Sequence, residues 1–196
     1  MAFATETELE AYTGATIATD RATILLDMAT GAIQAYTNQT LSLVSSHTIT
    51  LPGNFGHLLT LPERPVTAVT SVTLGDTALV VDVDYVWDGK DGLYRGTKVD
   101  GILSVNGPDY LIDGWGDWGG PGAVVSVVYV HGFSTIPNDI KGVCLALAAR
   151  SLSSPDGVNS ESVGSYSVSY SRTGGAVSLL AEEKALLDRY RRKVYA

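Results

Sequence analysis

Cysteine is almost absent from this sequence. The single Cys144 excludes an intramolecular disulfide and any multi-cysteine zinc site. It sits in a helical apolar stripe and reads as a small buried hydrophobe. Histidine is nearly as scarce: His47, His57 and His131 lie in or beside strand-like stretches, and no local motif gives them catalytic work. There is no Walker-type phosphate loop, no dinucleotide glycine fingerprint and no nucleophile elbow. No enzyme, cofactor or metal follows from the residues. No apolar run approaches the roughly 18 residues of a membrane span. The longest, AVVSVVYV at 123–130, reads as a strand. Glu6, Glu8 and Glu10 stand where a signal peptide needs apolar residues, so a soluble, cytosol-made protein is expected.

Basic residues are also few. The chain has 196 residues, 13 Lys plus Arg against 21 Asp plus Glu, and a net charge of −8. That balance speaks against tight nucleic-acid binding and against an anionic membrane surface. Apolar content of 45% and charged content of 17% exclude intrinsic disorder. The charge is uneven. Residues 1–40 carry −4, residues 41–133 carry −6 and residues 134–196 carry +2. Four positive charges fall in Arg189, Tyr190, Arg191, Arg192 and Lys193. Cations at a helix C-terminus complement its dipole, but four in five residues point to an acidic or polar partner.

Hydrophobic periodicity predicts a short helix from Glu6 to Tyr12, ended by Gly14. A longer one is predicted over 20–38, with Asp20 as N-cap and Ile24, Leu25, Met28, Ala32, Ile33 and Tyr36 as its apolar stripe. From 41 to 134 threonine, valine and turn residues take over. Strands are predicted at 47–51, 57–61, 66–74, 78–87 and 123–130, within an antiparallel module of five to seven strands. Helices return after Pro137, with Ile140, Val143, Cys144, Leu147, Ala148 and Ser151 on one face. A last helix is predicted from about Leu179, capped by Ser178, to about Lys193, its stripe formed by Leu186, Leu187, Tyr190 and Val194. Between these two lies an alternating Ser/Tyr strand at 162–171. The expected fold is α+β: a small helical bundle formed by 1–40 and 135–196, interrupted by a large antiparallel β insertion at 41–134.

Two features invite a binding reading. Asp82 and Asp84 are predicted to share a strand face, with Asp88 and Asp91 following, so calcium is conceivable, although the spacing fails the EF-hand pattern. Asp113, Trp115, Asp117 and Trp118 in DGWGDWGG fit a sugar-stacking loop or packed loop anchors. A carbohydrate- or calcium-binding β module, as of a decoration or receptor-binding protein, is therefore the alternative reading. The SYSVSYS strand has no role in a helical bundle. It is expected to pair with the β module or with another copy, or to be an ordered surface loop.

Four stretches, in order, carry a family likeness: RATILLDMATGAIQAYT at 21–37, LPERPVTAVTSVTL at 61–74, VVYVHGFSTIPNDIKGVCLALAARSL at 127–152, and SESVGSYSVSYS followed by LLAEEKALLDRYRR. Together they resemble the head–tail connector proteins (adaptors, or head completion proteins) of long-tailed double-stranded DNA bacteriophages. The Gly/Asp/Trp loops at 88–121 have no counterpart in that pattern. The resemblance implies a structural virion protein without enzymatic activity, assembled in the host bacterial cytoplasm and located in the neck. It implies a ring, usually of twelve copies, beneath the portal protein. Such a ring extends the channel through which double-stranded DNA passes and offers a platform to the stopper. It further implies that Arg189, Tyr190, Arg191, Arg192 and Lys193 reach towards the portal, and that Tyr166, Val168 and Tyr170 lie near a neighbouring subunit. An acidic body suits such a conduit, because DNA must slide past it without sticking.

Overall fold

The computed structural model describes residues 2–99, 102–104, 117–153, 160–163, 166–169 and 178–192. The fold is α+β, with four helices and a set of antiparallel sheets among the described residues. The chain divides into two compact units, one formed by residues 1–39 and 135–196, the other by residues 40–134.

In the first unit, α1 spans Glu6–Thr13. Thr5 and Glu8 close a capping box at its start, and Gly14 ends it in the left-handed region at φ 68°. Helix α2 spans Thr19–Thr37 and α3 spans Asn138–Ser153. Asp20 does not cap α2. The cap position is Ala18, and Asp20 lies in the first turn, where its charge still favours the helix dipole. Pro137 precedes α3 and accepts the amide of Lys141 at 3.0 Å. Cys144 is fully buried, 3.7 Å from the Thr30 hydroxyl, and burial pushes its thiol pKa up.

The inward face of α2 is not the predicted one. Ala22, Leu26, Ala29 and Ile33 are buried, whereas Ile24 and Met28 are 59% and 46% exposed. The helix has apolar residues nearly all round. Alanines 22 and 29 form a shallow surface, a shape preference that hydropathy does not encode.

The second unit begins with β1, Val44–Pro52, followed by β2, Leu58–Thr60, β3, Val66–Leu74, and β4, Thr77–Leu79. It continues with β5, Tyr85–Trp87, β6, Gly92–Arg95, β7, Thr97–Val99, β8, Ile102–Ser104, and β9, Val124–His131. One sheet has the order β1-β9-β3-β4, a second β2-β6-β5, and β7 pairs with β8. Residues of the first two sheets share one core, including Leu59, Leu93, Val72, Val127 and Tyr129, together with the fully buried Trp118.

The predicted strand at 78–87 is broken. It becomes β4 and β5 around a turn in which Asp82 takes φ 62°. The Val80 carbonyl accepts the Asp84 amide at 2.8 Å, and the Asp84 carboxylate accepts the Val80 amide at 2.8 Å. An aspartate whose carboxylate accepts a nearby backbone amide competes with the sheet ladder and wins here. Asp82 and Asp84 therefore do not share a strand face.

The last elements return to the first unit. They are β10, Ser160–Val163, β11, Tyr166–Ser169, and α4, Ala181–Leu187, which ends in a 3₁₀ turn at Asp188–Tyr190. Helix α4 is shorter than predicted. Its cap residue is Leu180 rather than Ser178, and Leu187 is buried while Leu186 is 50% exposed. Val194 lies outside the described residues.

Candidate docking surfaces

The basic end of the chain is held in place by a buried charge. The Glu183 carboxylate accepts two bonds from the Arg150 guanidinium, both at 2.9 Å, and accepts the Leu180 amide at 2.8 Å. The same carboxylate thus caps α4 and ties it to α3. A bidentate pair of this kind fixes direction as well as distance. Arg150 also donates to the Ser178 carbonyl at 3.2 Å.

Beyond α4 the chain folds onto the C-terminal end of α2. The Arg192 amide donates to the Thr37 carbonyl at 2.9 Å. The Gln39 side-chain amide donates to the Tyr190 carbonyl. The Tyr36 hydroxyl donates to Asp188 at 2.5 Å, and this bond to a carboxylate is the main reason its pKa is raised. Arg191 and Lys184 lie over the Tyr36 ring, 5.5 and 5.9 Å from its centre. Positive charge therefore gathers where the partial negative end of the α2 dipole points, not at the end of a long α4.

Of the five predicted tail residues, four are described. Tyr190 bonds Asp139 of α3 through its hydroxyl. Arg189 pairs with the same carboxylate and stacks on the Tyr190 ring at 4.9 Å, while its side chain stays 62% exposed. Arg191 is exposed, and Arg192 is anchored by its backbone. Lys193 lies outside the described residues. The sequence reading missed the partners: Tyr36, Asp139, Glu183 and Asp188 do the holding. Their signal was weak, since each sits far from the tail in sequence or looks like ordinary helix charge.

Among the described residues the alternating strand does not pair with the β module. Strand β11 pairs antiparallel with β10, Tyr166 opposite Val163 and Val168 opposite Glu161. The two form a separate two-stranded sheet. Tyr170 lies outside the described residues.

The carboxylates considered for calcium have other work. Asp88 accepts the amides of Lys90 and Gly92, at 2.7 and 3.1 Å. Asp91 pairs with Arg64. Among the described residues no group of three or more His, Cys, Asp or Glu is placed to hold a metal. Trp118 is fully buried and donates its indole N–H to the His57 carbonyl at 3.0 Å, so it is a core anchor and not a stacking platform. Asp113 and Trp115 lie outside the described residues.

The architecture has solved counterparts. A chain from the neck of an empty GTA particle, computed with C6 symmetry, matches with a TM-score of 0.56 and 20% identity, over 99% of this chain and 92% of that one. A chain from the virion of a native gene transfer agent (GTA) particle matches with a TM-score of 0.56 and 19% identity, over 99% and 92%. A chain from the neck of a native GTA particle, computed with C12 symmetry, matches with a TM-score of 0.50 and 20% identity, over 97% and 92%. The chain shares their fold. No family model matches the sequence, and neither does any curated protein.

The shared fold runs through both units, since the match covers nearly the whole chain. At this level of identity the likeness speaks for architecture, while surface residues are free to differ.

Proposed function

We propose that the protein is a structural component of a phage-like virion neck, without enzymatic activity. In this reading it is a head-to-tail adaptor. Copies form a ring, twelve in number, beneath the portal protein. The ring extends the DNA channel and gives the stopper its platform. The observation that carries the reading is the fold shared over 99% of the chain with a neck chain. The four ordered sequence stretches of the connector family support it independently. A net charge of −8 supports a channel that passes double-stranded DNA without binding it.

Within this reading, Arg189, Tyr190, Arg191, Arg192 and Lys193 form the portal-docking segment. Its described part, Arg189 to Arg192, is pre-shaped by Glu183, Asp139 and Tyr36, which lowers the ordering cost of docking. Co-purification with the portal protein of the same particle tests this. The intact chain is expected to bind. A variant with Arg191, Arg192 and Lys193 replaced by Ala is expected to fold and to bind at least tenfold more weakly. Equal binding by the two would refute the docking role.

A further inference from the structure

Strand β1 is the outer edge of its four-stranded sheet. Proteins usually blunt such edges with shortness, lysine, proline or a bulge. β1 is nine residues long. A bulge between Val44 and His47 and a proline at position 52 guard only its ends. The stretch His47–Leu51 between them is regular, pairing residue by residue with Tyr129–Val125 of β9. It is also neutral, for no Asp, Glu, Lys or Arg occurs anywhere from residue 28 to residue 62. Its faces are already assigned: Ile49 and Leu51 pack on the core, and Thr48 and Thr50 are exposed. The opposite edge, β4, has only three residues.

The second observation is the hairpin β10–β11. Two strands alone are marginal in water, and an independent sheet takes three or more. Among the described residues the rest of that unit is helical, so it supplies no third strand. Strand β11, YSVS, has no charged residue, while β10 carries Glu161. A four-residue strand spans about 13 Å, and the regular part of β1 is long enough to receive it. Each edge thus lacks the row of backbone donors and acceptors that the other presents.

We propose that β11 of one copy adds to β1 of the neighbouring copy, along His47–Leu51, making a six-stranded sheet across two copies. The occupant is a second copy because, among the described residues, β1 pairs only with β9 and β11 only with β10, so both edges stay open within one chain and a ring brings a second copy against them. They are also different surfaces, so the contact is head-to-tail, and a head-to-tail contact repeated by rotation closes a ring. Main-chain pairing supplies the bonds, and the neutral side chains add no charge repulsion. The inference rests on the ring reading above and names the contact that holds the ring.

The test uses the full chain bound to the portal protein of the same particle. Two pools are made, one carrying Thr48→Cys and Thr50→Cys, the other Ser167→Cys and Ser169→Cys. Each is assembled alone and mixed, then treated with a short bis-maleimide. The native Cys144 is buried and stays out of the reaction. Dimeric adducts in the mixed ring, with little in either pool alone, are expected. A further variant, Thr50→Lys, places a charge on an exposed edge position and should reduce ring formation at least tenfold with its melting temperature unchanged. A ring that forms without mixed adducts, and is indifferent to Thr50→Lys, overturns the strand addition and leaves the neck reading standing. No ring under any condition overturns both.

Discussion

The Tyr190 hydroxyl lies 2.9 and 3.0 Å from the two carboxylate oxygens of Asp139. This contact joins the end of the last helix to the first turn of α3. It holds Tyr190 and Arg189 against the helical unit. Replacing Tyr190 with Phe removes the donor and keeps the ring that stacks on Arg189. The expected cost is about 1 kcal/mol of stability, read by chemical unfolding. Weaker portal binding is expected with it, because the tail then docks from a looser ensemble. Unchanged stability would mean that the hydroxyl is not a structural tie.

The Arg150–Glu183 pair is the deeper anchor. Glu183→Ala removes the cap of α4 and leaves the Arg150 guanidinium, 23% exposed, without its carboxylate. A loss of about 2 kcal/mol is expected. Hydrogen exchange should rise in α4 and leave the β unit untouched.

How far the sequence foretold all this depends on which force decided each element. Helix α1 was legible to within one residue, predicted to end at Tyr12 and ending at Thr13, because Gly14 is a local stop signal with a local effect. Strand β3 was legible because six of its nine residues are Val or Thr and it is bounded by Pro65 and Gly75. The break at Asp82 was not, since valines on both sides favour a strand and the turn is decided by one carboxylate. Ile24 and Met28 were assigned to the core because hydropathy cannot choose between two apolar stripes on one helix. Of the candidate tail, the basic cluster was visible in the sequence. Its anchors were not, because Tyr36, Asp139 and Asp188 meet only through tertiary packing.

Two glycines in the β unit are required by close backbone approach. A Cβ on Gly132, whose φ is 88°, would collide with the Ser42 carbonyl. A Cβ on Gly53 would collide with three successive carbonyls, of Trp118, Gly119 and Gly120. Backbone cannot yield as a side-chain tip does. Gly132→Ala and Gly53→Ala should each cost at least about 2 kcal/mol, read as a lower denaturation midpoint. Gly122→Ala, which meets nothing, is the neutral control.

His131 gives the β unit a pH dependence. It is 1% exposed, its Nε2 lies 2.9 Å from His47 Nδ1, and burial holds its pKa below the ordinary 6.5. The unfolded chain thus takes up this proton at higher pH than the folded one. Stability is full above about 6.5 and falls as pH drops towards the lowered value. Melting curves between pH 7.5 and 5.5 should show that loss, and His131→Gln should flatten it. An equal slope in both proteins would remove His131 as its source.

Glu8 adds a loss of the same sign at lower pH. The Lys141 ammonium bonds it at 2.6 Å and holds its pKa below 4.5. Its stabilisation is present above that value and is lost as pH falls through the lowered one. The pair is surface-exposed, so the effect is under about 1 kcal/mol. Glu8→Gln should therefore cost a small amount at pH 7 and nothing at pH 2, measured by urea unfolding.

The mass of the complex between the intact protein and the portal ring of the same particle tests the central claim most directly. Mass photometry at micromolar mixing should give a single species in which the portal carries twelve copies. A portal that keeps its own mass across a range of salt concentrations would contradict the adaptor reading.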